Sequence, residues 1–403
     1  MIAKIKLILG KAIRLAYRFT YRLVPCDDKT VLFVSFHGRG YSDNPKAIYE
    51  YMRSQKQFAK YRFVWAIKHR REKNIQIEGA KIIEYFSIPY FFYLARSRYW
   101  IVNCKLPTYV LKKPGQIYLQ TWHGTPLKRL AHDIQLEEGA SFYRSRMTAD
   151  QMVHTYDVDV AKYTYMISPN HFSTEVFQSA FRINRERLIE TGYPRNDILS
   201  NYTEKDKQDV LKKYDLPANK KIILYAPTWR DNQFNTSGYL FELKADFKMW
   251  KEILGEDYII LYKPHYLIIN KMKKDKALED FVYEINADAE ISELYIISDI
   301  LITDYSSVFF DYAILKRPIY FYMQDIAEYQ HELRGFYLDI YTDLPGSIYE
   351  TEKPMLEDIT EGVFDYERLD KFNERFNYLE DGKGAKRVVD ILFTDRGYDH
   401  ETK

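Results

Sequence analysis

The chain has 403 residues, of which 46% are hydrophobic and 29% charged, and its formal net charge is +2. That much apolar sequence excludes a disordered protein and is enough to bury the cores of two domains. The two cysteines, Cys26 and Cys104, exclude a disulfide framework and give no sign of a metal site, so we expect a reducing, cytosolic setting.

The charge is distributed unevenly along the chain. Residues 1–130 contain 25 Lys and Arg against 7 Asp and Glu, a net charge of +18, whereas residues 131–403 have a net charge of −16. Such asymmetry indicates that the first third faces an anionic partner. A nucleic acid, a phospholipid surface and a pyrophosphate-bearing substrate all fit that description. A solvated charged face without a partner is the plainer alternative.

The N-terminal segment, MIAKIKLILGKAIRLAYRFTYRLVPC, contains six basic and no acidic residues. Basic residues interrupt its apolar runs well short of the ~20 positions that a membrane-spanning helix needs. They also argue, with Pro25, against a secretory signal. We predict that residues 1–26 form an amphipathic helix lying on an anionic membrane surface, an ordinary helix packed on the protein body being the alternative. The basic residues that share one face of this helix are Lys4, Lys11, Arg14, Arg18 and Arg22.

Ten apolar, β-branched or aromatic runs follow along the chain, each ending at a polar cluster and followed by a helical pattern. They lie at 30–36, 62–67, 81–86, 99–104, 116–122, 163–168, 221–227, 258–264, 299–304 and 318–323. Near-continuous apolar runs separated by helices are typical of buried parallel strands. The sequence therefore predicts an α/β, doubly wound architecture.

A polar stretch around residues 195–220 separates two series of runs. It predicts a Rossmann-like domain at 27–200, a second one at 201–350 and a helical tail at 351–403. Binding sites in open α/β sheets lie at the carboxyl ends of the strands. The residues that terminate the runs are therefore the candidates for function.

The run at 299–304 ends in DYSSVFFDYAIL. Ser306 and Ser307 fall at a strand-to-helix junction, where backbone N–H groups, the helix dipole and two hydroxyls favour an anion. Asp311, one turn into that helix, is placed to accept hydrogen bonds from ribose hydroxyls. A plain N-cap explains Ser306 equally well.

The run at 258–264 ends in KPH. Lys263 and His265 stand on either side of a proline, and two donors converging on one point suit a diphosphate. A histidine at such a position can equally hold a backbone carbonyl.

The stretch QTWHGTPLKRL, residues 120–130, spans the end of the fifth run. Thr125 fits an N-cap and Pro126 fits the first helical position, so the sequence predicts a helix that begins directly after His123. His123 titrates near neutrality and can take a proton from a hydroxyl. Lys128 and Arg129 add positive charge close by.

Several other chemistries find no support in the sequence. It contains neither a P-loop nor a dinucleotide fingerprint. No His pair has zinc-site spacing with a third ligand, and Asp157 and Asp159 form a D-x-D that does not end a predicted strand. Metal-independent phosphate chemistry without a cofactor is what we predict.

With these residues assembled, the chain resembles the CDP-glycerol glycerophosphotransferases, the primases and polymerases of teichoic acid synthesis. Seven motifs carry the resemblance in order over roughly residues 30–340: FHGRGYSDNPKAIYEYM, QTWHGTPLK, ISPNHFSTEVFQSAF, TGYPRND, ILYAPTWRD, LYKPH and SDILITDYSSVFFDYAILKRPIYFY. The resemblance implies a GT-B fold, in which two Rossmann-like domains face each other across a cleft. It also implies peripheral attachment to the cytoplasmic face of the membrane.

The implied reaction transfers glycerol phosphate from CDP-glycerol to a hydroxyl of an undecaprenyl-diphosphate-linked saccharide, releasing CMP. By this resemblance His123 is the general base and His265 stabilises the pyrophosphate of the donor. The other predicted donor-side residues are Thr228, Arg230, Lys263, Asp304, Ser306, Ser307 and Asp311, with Arg230 and Lys263 added as charge partners for the phosphates. The predicted acceptor-side residues are Asp43, Thr125, Lys128 and Arg129, with Asp43 orienting His123 or the acceptor.

The length of the chain resembles that of the enzymes that add the first one or few glycerol phosphates rather than that of the longer polymerases. Four alternatives stay open: a CDP-ribitol donor, a role in capsule assembly, a GT-B glycosyltransferase using a UDP-sugar, and a non-catalytic scaffold at the membrane. We expect no nucleic acid partner. The products separate the two kinds of enzyme, since one releases CMP with a new phosphodiester and the other releases UDP with a new glycosidic bond.

Overall fold

The computed structural model describes residues 14–15, 17–134, 147–228, 234–235, 238–239, 245–264, 275–286, 289–326 and 335–394. The chain divides into two compact units. The first comprises Met1–His123, Val153–Asp197 and Lys383–Lys403, and the second comprises Gly124–Met152 and Ile198–Gly382. Of the predicted tail, residues 351–382 group with the second unit and Lys383–Lys403 with the first.

The first unit is built on a parallel sheet of seven strands. They are β1 Asp27–Val34, β2 Arg62–Ile67, β3 Ala80–Glu84, β4 Ser97–Val102, β5 Ile117–Gln120, β6 Tyr165–Ser168 and β7 Leu188–Glu190. Their spatial order is β3-β2-β1-β4-β5-β6-β7. Apolar side chains at the centre of this sheet are fully buried, as a parallel sheet covered on both faces requires.

The second unit contains a parallel sheet of six strands and a short antiparallel pair. Its strands are β8 Lys221–Ala226, β9 Phe234–Asn235, β10 Gly238–Tyr239, β11 Tyr258–Tyr262, β12 Val282–Glu284, β13 Ile300–Thr303, β14 Ile319–Tyr322 and β15 Ile348–Tyr349. The spatial order of the sheet is β12-β11-β8-β13-β14-β15, and β9 pairs with β10. All ten predicted runs are strands, which confirms the α/β prediction.

Helices connect the strands. In chain order they are Asp43–Ser54, Arg70–Lys73, Ile88–Arg96, Ala149–Val160, His171–Phe181, Asp197–Asn201, Glu204–Lys213, Phe247–Leu254, Ile291–Ile297, Val308–Tyr312, Glu352–Glu361, Tyr366–Phe376 and Gly384–Thr394. The last of them returns to the first unit because Val388 and Leu392 are buried in the same core as Phe33 and Trp65.

The predicted helix directly after His123 is wrong. Residues 124–130 form no helix, and Lys128 instead makes an antiparallel bridge with Phe336. The N–H of Arg129 donates to the carbonyl of Gly335 at 3.0 Å, and the next residue, Leu130, has extended backbone angles (φ −121°, ψ 150°). Thr125 and Pro126 therefore do not begin a helix, because pairing with a distant segment satisfies this backbone instead.

The N-terminal segment is helical at residues 14–15 and 17–23. It is fixed to the first unit by buried Tyr17, whose hydroxyl donates to the carbonyl of Leu111 at 2.7 Å. Leu15, Phe19 and Leu23 lie one turn apart and are 71%, 68% and 66% exposed. Lys4 and Lys11 lie outside the described residues. Within the described part of the chain, no helix combines the length and the apolarity needed to cross a membrane.

Candidate functional site

His123 lies at the carboxyl edge of the first sheet, three residues beyond β5. Its Nδ1 lies 3.0 Å from the backbone carbonyl oxygen of Asn103, which directly follows the neighbouring strand β4. A carbonyl can only accept, so we assign the proton of the neutral ring to Nδ1. The unprotonated Nε2 is then the nitrogen available to take a proton.

The surroundings of His123 favour the neutral imidazole. Its side chain keeps access to solvent, yet burial within the protein lowers its pKa. The Asp43 carboxylate and the hydrogen bond to Asn103 act in the opposite direction, and the charge of Arg195 adds to the lowering. A histidine whose pKa lies below its ordinary value is unprotonated at neutral pH and can act as a base.

Asp43 is linked to His123 through Asn103. The Asp43 carboxylate, 5% exposed, accepts a hydrogen bond from Arg195 Nη1 at 2.9 Å and another from the side-chain amide of Asn103. The side-chain oxygen of Asn103 accepts from the N–H of Phe36 at 2.7 Å. Asn103 therefore joins the ends of β1 and β4 to the histidine, while Arg195 neutralises the buried carboxylate.

Asn44 holds the end of β5 in the same network. Its amide donates to the carbonyls of Thr121 and Trp122, each at 3.2 Å, and its oxygen accepts from the N–H of Arg195 at 3.1 Å. Trp122 and Asp43 have positive φ angles of 52° and 62°. Non-glycine residues in this region are strained, and such strain collects at functional sites, where the surrounding structure holds it in place.

Three residues of this network were not among the sequence-predicted site residues: Asn44, Asn103 and Arg195. Each lies in a segment with a sequence signal, namely SDNP, the end of YWIVNC, and GYPRND. Asn44 and Asn103 lie at or just beyond the ends of predicted apolar runs, whereas Arg195 follows the short strand β7, which no predicted run marked.

In the second unit, three predicted donor-side residues lie at the carboxyl edge of the sheet. Thr228 follows β8, Lys263 follows β11 and Asp304 follows β13, and these three strands are neighbours. The N–H and the hydroxyl of Thr228 donate to Asp304 Oδ1 at 2.8 and 2.6 Å. Asp304 is 2% exposed, so its carboxylate ties two strand ends together.

Ser306 and Ser307 precede the helix Val308–Tyr312. The Ser306 hydroxyl accepts a long hydrogen bond, 3.4 Å, from the N–H of Val308. Ser307 is at the N-cap position without a side-chain capping bond. A Cβ built on Gly124 would lie only 3.1 Å from Ser307 Oγ, so this close approach favours glycine. Asp311 is buried in that helix.

The remaining predicted residues fall in different places. Thr125, Lys128 and Arg129 belong to the second unit, and the Arg129 guanidinium lies 5.7 Å from the centre of the Tyr337 ring. Of the predicted acceptor-side residues, Asp43 shares the first unit with His123. Two predicted residues, Arg230 and His265, lie outside the described residues. Across the described part of the chain, no group of three His, Cys, Asp or Glu side chains is placed to hold a metal ion.

Comparison with known proteins identifies the family. The profile of the family CDP-Glycerol:Poly(glycerophosphate) glycerophosphotransferase matches residues 15–394. The chain belongs to this family. This membership confirms the resemblance derived from the seven motifs.

Individual relatives share most of this chain. A teichoic acid poly(glycerol phosphate) polymerase of Staphylococcus epidermidis is 41% identical over 91% of this chain and 51% of its own length. A teichoic acid glycerol-phosphate transferase of Staphylococcus aureus is 37% identical over 90% of this chain and 92% of its own. A solved structure of the wall teichoic acid polymerase TagF is 38% identical, with a TM-score of 0.86 over 98% of this chain and 96% of its own. The chain thus spans about half the length of the S. epidermidis relative.

Proposed function

We propose that this protein transfers glycerol phosphate from CDP-glycerol to a hydroxyl of a lipid-linked saccharide in wall teichoic acid synthesis, releasing CMP. The observation that carries the proposal is the hydrogen bond from His123 Nδ1 to the Asn103 carbonyl, which leaves Nε2 as a proton acceptor. Family membership and relatives named for glycerol phosphate support the choice of donor.

The proposed reaction is an in-line displacement at phosphorus. The acceptor hydroxyl oxygen attacks the glycerol-bearing phosphorus of CDP-glycerol while His123 Nε2 takes its proton. A new P–O bond forms, the P–O bond to the bridging oxygen breaks, and CMP leaves with that oxygen. General base catalysis of this kind typically contributes 10²–10⁴-fold to the rate.

The donor is proposed to bind at the strand ends of the second unit. Lys263 supplies positive charge, and the hydroxyls and N–H groups of Ser306 and Ser307 supply hydrogen bonds to phosphate. These groups are proposed to stabilise the negative charge that builds on the departing CMP, together with the predicted contacts His265 and Arg230. Asp311 remains the predicted contact of the ribose. We further propose the GT-B arrangement of the two units that the resemblance implies.

The protein is also proposed to act at the cytoplasmic face of the membrane. Leu15, Phe19 and Leu23 form an exposed apolar stripe on the N-terminal helical segment, and Arg14, Arg18 and Arg22 are exposed beside it. Apolar side chains next to basic ones suit the boundary between acyl chains and anionic headgroups. A membrane position would bring the active site to a lipid-linked acceptor.

The number of units added is proposed to be one or a few, as in a primase, with CDP-ribitol as the alternative donor. The test is incubation with CDP-glycerol, CDP-ribitol or a UDP-sugar, each with a lipid-linked disaccharide, followed by mass analysis. We expect CMP and a product heavier by one or a few glycerol phosphates with CDP-glycerol alone. Release of UDP with a new glycosidic bond would contradict the proposal. A long series of products, each heavier by one more glycerol phosphate, would indicate a polymerase rather than a primase.

A further inference from the structure

Three polar residues meet at the amino edge of the first sheet, where the parallel strands begin. Thr164 directly precedes β6, and Arg187 directly precedes β7. Lys112 lies in the segment before β5, which is the neighbour of β6, and its Nζ reaches the Thr164 hydroxyl at 2.9 Å. All three residues are partly exposed. Because His123 follows the carboxyl end of β5, this group lies at the opposite edge of the sheet from the predicted base.

The Thr164 hydroxyl has both of its acceptor positions filled. Its oxygen accepts from the N–H of Tyr118 at 3.0 Å and from Lys112 Nζ. A hydroxyl has two lone pairs and one O–H, so only the donor remains. Among the residues that the structure describes, no group accepts from this O–H. Thr164 can therefore donate a hydrogen bond to a ligand.

Two cations hold the residues on this edge without an acidic partner. Arg187 Nη2 donates to the carbonyl of Tyr163 and, at 2.7 Å, to that of Val160. Lys112 holds the next residue, Thr164. In the described ranges, neither Lys112 nor Arg187 forms an ion pair with a carboxylate. Burial and the charge of Arg187 lower the pKa of Lys112 to about 8. An anion between two such like charges relieves their repulsion.

The position of Lys112 is set by a tight turn that follows it. The N–H of Gln116 donates to the carbonyl of Lys113 at 3.1 Å, with Pro114 and Gly115 between them. Gly115 has a φ of +81°, which favours glycine. Proline at the second position and glycine at the third are typical of a type II turn. The ammonium is thus presented from an ordered backbone.

The same segment fixes the N-terminal helical segment. The carbonyls of Leu111 and Lys112 accept from the hydroxyls of Tyr17 and Tyr21 at 2.7 and 3.3 Å. This helical segment carries the exposed apolar stripe. A ligand held by Lys112 therefore lies beside the residues that fix the stripe to the first unit.

We propose that Lys112, Thr164 and Arg187 form a binding site for the phosphate group of a phosphate ester. The ammonium and the guanidinium N–H groups that remain after the carbonyl bonds supply charge-assisted hydrogen bonds, and the Thr164 hydroxyl supplies another. Three donors without an acceptor suit an anion with several oxygens. The ester is either a phospholipid headgroup beside the stripe or a soluble compound. The inference does not depend on the proposed transfer reaction, because the site lies at the other edge of the sheet.

The test is protection of Lys112 from acetylation by acetic anhydride, read by mass analysis of peptides from the wild-type protein. One probe is inorganic phosphate, compared with chloride at equal ionic strength. The other is vesicles of phosphatidylcholine with phosphatidylglycerol, compared with phosphatidylcholine alone. The protection factor is 1 + [L]/Kd, so ligand at ~10 times its Kd should slow acetylation about 10-fold. Lys29, an exposed lysine near the start of β1, is the internal control and should keep its rate.

Protection by inorganic phosphate would assign the site to a soluble ester, and protection by the anionic vesicles alone would assign it to a lipid headgroup. Arg187→Gln removes the second charge and should abolish the protection. If this variant folds poorly, Lys112→Met replaces it, and phosphate should raise the Tm of the wild type more than that of Lys112→Met. The general effect of phosphate as an excluded salt acts on both proteins alike.

Three results would overturn the inference. The first is an unchanged acetylation rate of Lys112 with both probes. The second is equal slowing of Lys112 and Lys29, which would indicate shielding of the whole surface. The third is protection that persists in Arg187→Gln, or an equal rise in Tm for the wild type and Lys112→Met.

Discussion

The proton position on His123 is set by the backbone of another strand. The Asn103 carbonyl fixes the imidazole orientation, and the side chain of Asn103 is held in turn by Phe36 and Asp43. Every residue has a backbone carbonyl, so no residue type in the sequence indicates this contact. The histidine was therefore predictable from its position after a strand, whereas its partner required the register of β4 against β5.

Loss of the base should lower turnover without abolishing it. We expect His123→Ala to reduce kcat by 10²–10⁴-fold with a small change in KM for CDP-glycerol, since the proposed donor contacts lie on other residues. Release of CMP under saturating donor is the measurement. His154→Ala, at an exposed histidine of the helix Ala149–Val160, is the control and should retain full activity. Wild-type turnover in His123→Ala would remove this residue from the mechanism.

Two substitutions should move the pH profile in opposite directions. Activity falls as pH decreases through the pKa of His123, because the protonated ring cannot accept a proton. The Asp43 charge raises that pKa and the Arg195 charge lowers it. Asp43→Asn should therefore shift the acidic limb to lower pH, and Arg195→Gln should shift it to higher pH.

Both variants break a buried ion pair, which typically costs 3–5 kcal/mol of stability. Rates are therefore compared well below each variant's Tm, determined by thermal melting. Loss of stability alone would move the two limbs in the same direction or in neither. Coincident pH profiles would show that the network does not tune the histidine.

At the scale of elements, long apolar runs made the central strands predictable. The strands that sequence reasoning missed in the two parallel sheets are β7, β12 and β15, which have three, three and two residues. Each lies at the edge of its sheet. A strand of two or three residues is too short to give an apolar run of its own, so its pairing becomes visible only in the folded chain.

The stretch after His123 shows a second limit of prediction from local sequence. Thr125 and Pro126 have the local chemistry of a helix start, yet Leu127 accepts a hydrogen bond at 2.9 Å from the N–H of Tyr337, 210 positions along the chain. Local capping preferences are worth about 1 kcal/mol. Pairing with a distant segment outweighs them, and nothing near Thr125 in the sequence reveals that partner.

The close approach of Gly124 to Ser307 should matter for donor binding. A methyl group at Gly124 would lie 3.1 Å from Ser307 Oγ and push the hydroxyl by a few tenths of an ångström. We expect Gly124→Ala to raise KM for CDP-glycerol several-fold while kcat changes less. In Ser307→Ala the hydroxyl is already absent, so adding Gly124→Ala should raise KM little further. Additive effects in this double-mutant cycle would mean that the glycine acts on another residue.

At the scale of the whole molecule, the division of the chain into two units could be predicted only in part from the sequence. A change in composition marks residues 195–220, and the structural break at Asp197 lies at its beginning. The return of Gly384–Thr394 to the first unit depends on Val388 and Leu392 fitting one core rather than the other. The amphipathic spacing of a helix indicates that one of its faces is buried, but it does not indicate in which of the two cores.

The uneven charge and the exposed stripe together predict how the protein meets a membrane. Phe19→Glu with Leu23→Glu removes two exposed apolar side chains, each worth about 1.5–3 kcal/mol when buried, and adds two negative charges. We expect affinity for anionic vesicles to fall at least about 100-fold in a sedimentation assay. Activity on a short soluble acceptor should persist, because Tyr17 still fixes the helical segment.

The control is Val363→Glu, at a residue of the second unit that is 51% exposed. It adds one charge without touching the stripe and should leave vesicle binding unchanged. Since raised salt screens charge but not apolar contact, the wild-type protein should keep part of its binding at 1 M salt and the double variant should lose all of it. Equal vesicle binding by the double variant and the wild type would place the membrane contact elsewhere, and the basic first third would then act on the substrate alone.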